Sequence, residues 1–131
     1  QSRFVGVDHL PWEPTQIEGV ETKTLVFEKL SGLLTVIMRM APGVTLPDHS
    51  HMKIEQTYVL EGRLVCGEVE CKKGDFVWRP AGSCHRVWAP EGGTFLAIFQ
   101  VPNKFHNGEK EQDLLGQDWN SIWGSCTNLL R

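Results

Sequence analysis

Turn-forming residues recur at short intervals from Ser31 to Gly93, and the runs between them are too short and too β-rich to leave much room for helix. Leu25–Leu30 is followed by Ser31-Gly32, and Leu33–Ala41 is ended by Pro42-Gly43. Thr57–Leu60 reaches a turn expected at Glu61-Gly62. Arg63–Cys71 alternates and breaks at Lys72-Lys73-Gly74-Asp75, and Phe76–Arg79 is closed by Pro80. Arg86–Ala89 leads into Pro90-Glu91-Gly92-Gly93, after which Thr94–Val101 is a continuous apolar strand. Such spacing predicts an all-β fold, a single-domain antiparallel jelly-roll β-barrel. Its core is expected over about 25–102, with an N-terminal arm over 1–24 and a C-terminal extension over 103–131. In the arm, Phe4, Val5, Val7, Leu10 and Trp12 are candidate packing groups. In the extension, Leu115, Trp119, Ile122 and Trp123 stand at helical spacing and predict a short amphipathic helix that packs on the barrel.

Inside this β pattern, two segments carry metal-ligating side chains. His49 and His51 are two apart, so on an extended strand both imidazoles project from one face. Glu55 lies four beyond His51 and returns to that face if the strand runs on. His85 can approach from a neighbouring strand. Three imidazoles and a carboxylate form a mixed N/O donor set, which suits Fe(II), Mn, Ni, Cu or Zn.

The glycines and prolines flanking these residues are in register with a known pattern. The first segment reads G-x5-H-x-H-x3-E-x6-G, from Gly43 through His49, His51 and Glu55 to Gly62. The second reads G-x5-P-x-G-x2-H, from Gly74 through Pro80 and Gly82 to His85. Together they resemble the two signature motifs of the cupin superfamily. The second departs at its end, where the family pattern has Asn and this chain has Ala89; that Asn resembles a turn-structuring residue, so the ligand set is untouched. The resemblance implies a divalent transition metal held by His49, His51, Glu55 and His85, and a homodimer.

The run from Gly74 to His85, followed by Pro90 to Leu96, is similar to the cupin subgroup of the anti-sigma-factor type, which also includes acetylacetone dioxygenase-like enzymes. That similarity implies a non-haem Fe(II) dioxygenase cleaving a C–C bond of a small enolisable carbonyl or diketone; Zn, Ni or Mn would instead support a non-redox isomerase, lyase or sugar-modifying cupin. A metal- or ligand-binding sensor is the third class. Glu55 either completes the metal sphere or acts as the catalytic base. Arg39, Trp78 and Gln100 are candidate substrate-pocket residues, because they lie on strands expected to line the barrel.

Composition narrows the partners. The 131 residues are one domain's worth of chain, with a net charge of -3 and no basic run, which argues against nucleic acid. No apolar stretch approaches the roughly 20 residues of a membrane span. Cys66, Cys71, Cys84 and Cys126 lack the Cys-x2-Cys spacing of a structural zinc site and are expected as free thiols. With no signal-like start, they fit a cytoplasmic protein. The expected partner is a small-molecule substrate.

Overall fold

A computed structural model of the chain describes residues 1–49, 53–81 and 85–100, with the backbone alone at 47–49 and 85. Nine strands make up nearly all of its regular structure: β1 (Glu13–Pro14), β2 (Val20–Glu28), β3 (Leu33–Met40), β4 (Val44–His49) and β5 (Glu55–Cys66), then β6 (Val69–Lys72), β7 (Phe76–Arg79), β8 (His85–Ala89) and β9 (Gly93–Gln100). A single 3-10 turn at Val7–His9 is the one helical element among the described residues. The helix expected around Leu115–Trp123 lies outside them, as do Cys84 and Cys126.

Every strand pairing is antiparallel, and the sheet runs β1-β2-β3-β9-β5-β8-β4, with β6 and β7 also paired to β5. The long β5 curls this sheet on itself. Its first half pairs with β7 and β9, and its second half with β6 and β8. Where the sequence suggests a turn at Glu61-Gly62, the strand instead continues through a register shift between Val59 and Glu61. A bulge of this kind bends a strand without ending it. Gly62 serves the bend in two ways: its φ is +83°, and a Cβ there would sit 2.2 Å from the Gly92 carbonyl oxygen. The Arg63–Cys71 run is likewise two strands, β5 and β6, joined by a two-residue turn at Gly67-Glu68.

The alternation of side chains sets the core. On β3, Leu34, Val36, Met38 and Met40 are buried, while on β9 Phe95, Ala97 and Phe99 point the same way. Val59 and Leu64 of β5, Leu46 of β4, and Val87 and Ala89 of β8 complete the cluster. Burying each of the larger side chains contributes about 1.5–3 kcal/mol. Ala89, where the family pattern has Asn, is fully buried. Cys66 and Cys71 are buried free thiols on the paired strands β5 and β6.

Regular pairing begins ahead of residue 25: β2 starts at Val20, and β1 lies against its outer edge. The arm before β1 is pinned through Lys23, whose Nζ donates a hydrogen bond to the Val7 carbonyl at 2.9 Å. The Trp12 ring lies beneath two cations, 4.8 Å from Lys23 Nζ and 4.1 Å from the Arg39 guanidinium. Phe4, by contrast, is almost wholly exposed.

Candidate metal centre

β4 and β8 bring two of the expected ligands to one rung. The register pairs Leu46 with Val87 and then His49 with His85, with a shift between Leu46 and His49 that accommodates the extra residue at Pro47-Asp48. Without that bulge, the odd spacing from Leu46 would place His49 out of step with its neighbour. His51 lies outside the described residues.

Glu55 does not continue the strand of the histidines. β4 ends at His49, and Glu55 opens β5. The entry to β5 is held by Lys53, whose N–H donates to the Gln100 carbonyl at 3.0 Å, and by the Gln100 N–H donating to the Ile54 carbonyl at 3.2 Å. From that start, Glu55 faces Arg79 of β7 and Phe99 of β9. It is 9% exposed and Arg79 is 7% exposed. Arg79 Nη1 donates to Glu55 Oε2 at 3.3 Å, and Arg79 Nη2 donates to the Cys66 sulfur. Burial pushes the Cys66 thiol above its ordinary range, opposed by the neighbouring Arg79 cation.

The pair borders a small inner cavity of about 20 Å³, room for roughly one water. Its polar wall is Glu55, Thr57 and Arg79; its apolar wall is Met38, Met40, Leu46, Leu64, Val87 and Phe95. Leu46 and Val87, which line the cavity, are the last pair in the β4–β8 register before His49 and His85. The donor chemistry fits a divalent transition metal: imidazole nitrogens and a buried carboxylate are the ligands such ions take. Among the described residues no group of three or more side chains is gathered tightly enough by itself to hold an ion.

Arg39, Trp78 and Gln100, expected as pocket residues, do not line this cavity. Arg39 is in β3, but its side chain is exposed, and its guanidinium pairs with Glu21 at 2.5 Å and stacks on Trp12. Trp78 is 55% exposed. The Gln100 side chain donates to the Ser31 carbonyl. Arg79, which the sequence reading did not assign to the pocket, points inward from β7, as Val77 does. Strand alternation had offered two choices there, and the charged side chain takes the inner one because Glu55 stands opposite.

The fold and these motifs agree with known proteins. A sequence profile described as the ChrR cupin-like domain matches residues 1–104. No curated protein matches the chain in sequence. Among solved structures, an RmlC-like cupin from Shewanella frigidimarina NCIMB 400 is 21% identical with a TM-score of 0.67, covering 81% of this chain and 96% of that one. A putative acetylacetone dioxygenase from Methylibium petroleiphilum PM1 is 18% identical with a TM-score of 0.71, covering 76% and 77%. The complex of Rhodobacter sphaeroides SigE with the anti-sigma ChrR is 22% identical with a TM-score of 0.63, covering 72% of this chain and 51% of that one. No helix among the described residues is long and apolar enough to cross a membrane. With its curled antiparallel sheet, its paired glycine-rich histidine segments and a profile match over most of its length, the chain belongs to the ChrR cupin-like domain family of the cupin superfamily.

Proposed function

We propose that this cupin is a metal-dependent enzyme in which His49, His51 and His85 hold a divalent transition metal, with Fe(II) favoured, and that it cleaves a C–C bond of a small enolisable carbonyl or diketone with dioxygen. The reading is supported by the pairing of His49 with His85 across β4 and β8, in a fold that also buries the carboxylate of Glu55. Fe(II), when bound, supplies access to dioxygen chemistry and a Lewis acid for an enolised carbonyl.

The chain's own residues supply the remainder. Glu55 either ligates or accepts the acidic proton of the substrate, which lies on the carbon between its two carbonyls, at the carboxylate. Arg79 compensates the charge of that carboxylate and fixes its orientation through Oε2. Met38, Leu46 and Phe95 give the space beside it apolar walls, and apolar surroundings strengthen each electrostatic contact within it. The substrate on this reading is a small neutral or singly charged molecule, and the expected assembly is a homodimer.

Metal content decides the reading. Protein expressed without added metal is analysed by elemental mass spectrometry, and oxygen uptake is followed after anaerobic Fe(II) loading with acetylacetone as the probe diketone. Near-stoichiometric iron with diketone-dependent uptake supports the dioxygenase. Zinc, nickel or manganese with no uptake moves the assignment to non-redox isomerase or lyase chemistry, or to metal sensing. The sensing alternative draws support from the similarity to ChrR, of whose structure this chain spans about half.

A further inference from the structure

Thr57 stands two residues along β5 from Glu55, so the two side chains project from the same, inward face. It is 4% exposed, and its neighbours across the sheet are Val77 of β7 and Ala97 of β9. Neither of those side chains carries a hydrogen-bonding group, and among the described residues the Thr57 hydroxyl has no hydrogen-bond partner. A buried hydroxyl left unpaired gives up its bonds to water and gains none, an arrangement that native interiors largely avoid. Valine has nearly the same shape and carries no such cost, so a threonine here requires a partner that its own rung does not supply. The cavity onto which Thr57 opens sets the size of that partner. Its volume of about 20 Å³ exceeds the roughly 10–15 Å³ that one water requires. It is far below the roughly 300–1,000 Å³ of a small-molecule site.

We propose that this cavity is a binding site for one water molecule, held between the Thr57 hydroxyl and the Glu55 carboxylate, and that Thr57 positions Glu55 through it. The polar wall meets the need of a buried water for at least two partners. The Thr57 hydroxyl can donate or accept, an ionised carboxylate accepts at about four positions, and the Arg79 guanidinium donates. The rest of the wall is apolar, so a water here is directed to these three groups alone. Two contacts of different kind then act on Glu55: the cation of Arg79 at 3.3 Å, and a neutral water anchored on the same strand two residues away. Thr57 is thus a positioning residue, acting on the carboxylate without touching substrate. The water site stands on the cavity and the buried hydroxyl. The positioning role rests on the proposed use of Glu55 as ligand or base.

High-resolution crystal structures of the metal-free protein test the site in three forms: wild type, Thr57→Ser and Thr57→Val. The wild type is expected to show one ordered water within about 2.5–3.0 Å of Thr57 Oγ1 and of a Glu55 oxygen. Thr57→Ser should keep it, and Thr57→Val, which retains the shape without the hydroxyl, should lose it. A dry cavity in the wild type overturns the proposal, and so does a water that persists in Thr57→Val. Turnover of acetylacetone after anaerobic Fe(II) loading reads the positioning role. Thr57→Val is expected to lower kcat by about 10-fold or more at unchanged metal content, with activity restored in Thr57→Ser. An unchanged kcat in Thr57→Val overturns that role. If the wild type turns over no diketone, the enzyme reading and the positioning role fall together, and the crystallographic density still decides the water site.

Discussion

Arg79 and Glu55 face each other across the β5–β7 ladder and share an ion pair of 3.3 Å, both nearly excluded from solvent. A buried charge with its partner removed is costly, whereas a pair replaced by apolar or neutral groups is often tolerated.

Arg79→Met is therefore expected to lower the stability of the metal-free protein, by up to roughly 3–5 kcal/mol, because Glu55 stays buried after losing the Arg79 guanidinium. The double variant Glu55→Gln/Arg79→Met should recover most of that loss. Urea denaturation of the four proteins of the cycle measures both numbers. A cost under about 1 kcal/mol for Arg79→Met would show that water reaches the pair.

His49→Ala and His85→Ala are expected to weaken metal binding equally and by more than about 100-fold, since groups that only orient a ligand already cost 10–100-fold. His51→Ala should do the same. Calorimetric titration of the apo proteins reads the affinities, and His9→Ala, on the 3-10 turn, is the control that should leave them unchanged. Full metal occupancy in the His51→Ala protein would remove the site from this position.

Gly62→Ala should destabilise the fold by at least about 2 kcal/mol, combining a left-handed backbone with a clash. The added Cβ would meet the Gly92 oxygen at 2.2 Å and the Gly93 Cα at 2.5 Å, both backbone atoms that cannot rotate away. Gly74→Ala separates the two effects. Its φ is +91° but nothing lies within 4 Å of the added carbon, so thermal denaturation should show a smaller loss there.

The guanidinium of Arg63 bridges Glu70 and Glu91, with Nη2 at 2.9 Å from Glu91 Oε2. Its hydrogen bonds hold the Glu91 carboxyl below the ordinary value of 4.5. A carboxylate depressed in the folded state stabilises that state above its unfolded pKa. The contribution is lost as pH falls through the lower folded value. Carbon-detected NMR titration should find the Glu91 carboxyl below 4.5 in the wild type and back in the usual range in Arg63→Gln. An unmoved Glu91 midpoint would show that solvent screens the contact.

The strand runs were legible because Gly and Pro punctuate them and because β3 and β9 alternate cleanly. The candidate ligands were legible as spacing, though not their placement: a carboxylate four residues past His51 suggests one strand, whereas Glu55 lies on β5. Two local outcomes turn on strand pairing. Glu61-Gly62 has turn chemistry, yet the Gly serves a close backbone crossing within a long strand. Similarly, Trp78 has core chemistry and Arg79 has surface chemistry, but the pairing of β7 with β5 puts Arg79 opposite Glu55 and reverses their places. Both outcomes depend on which strands become neighbours, and local residue preference carries no information about that.

β5 has a kinetic consequence as well. Its partners β6 and β7 follow it closely along the chain, but β9, which covers its first half and joins it to β3, comes last. The β5–β6 hairpin can form early, from local contacts, on the microsecond scale of isolated hairpins. Closing β3 onto β9 must wait for a search over a much longer loop, so folding is expected on the millisecond-to-second scale of barrels rich in distant pairings. Until then, the carboxylate at Glu55 and the cation at Arg79 meet in water, and their enclosure belongs to the final step, when Phe95 and Phe99 arrive to seal the interior.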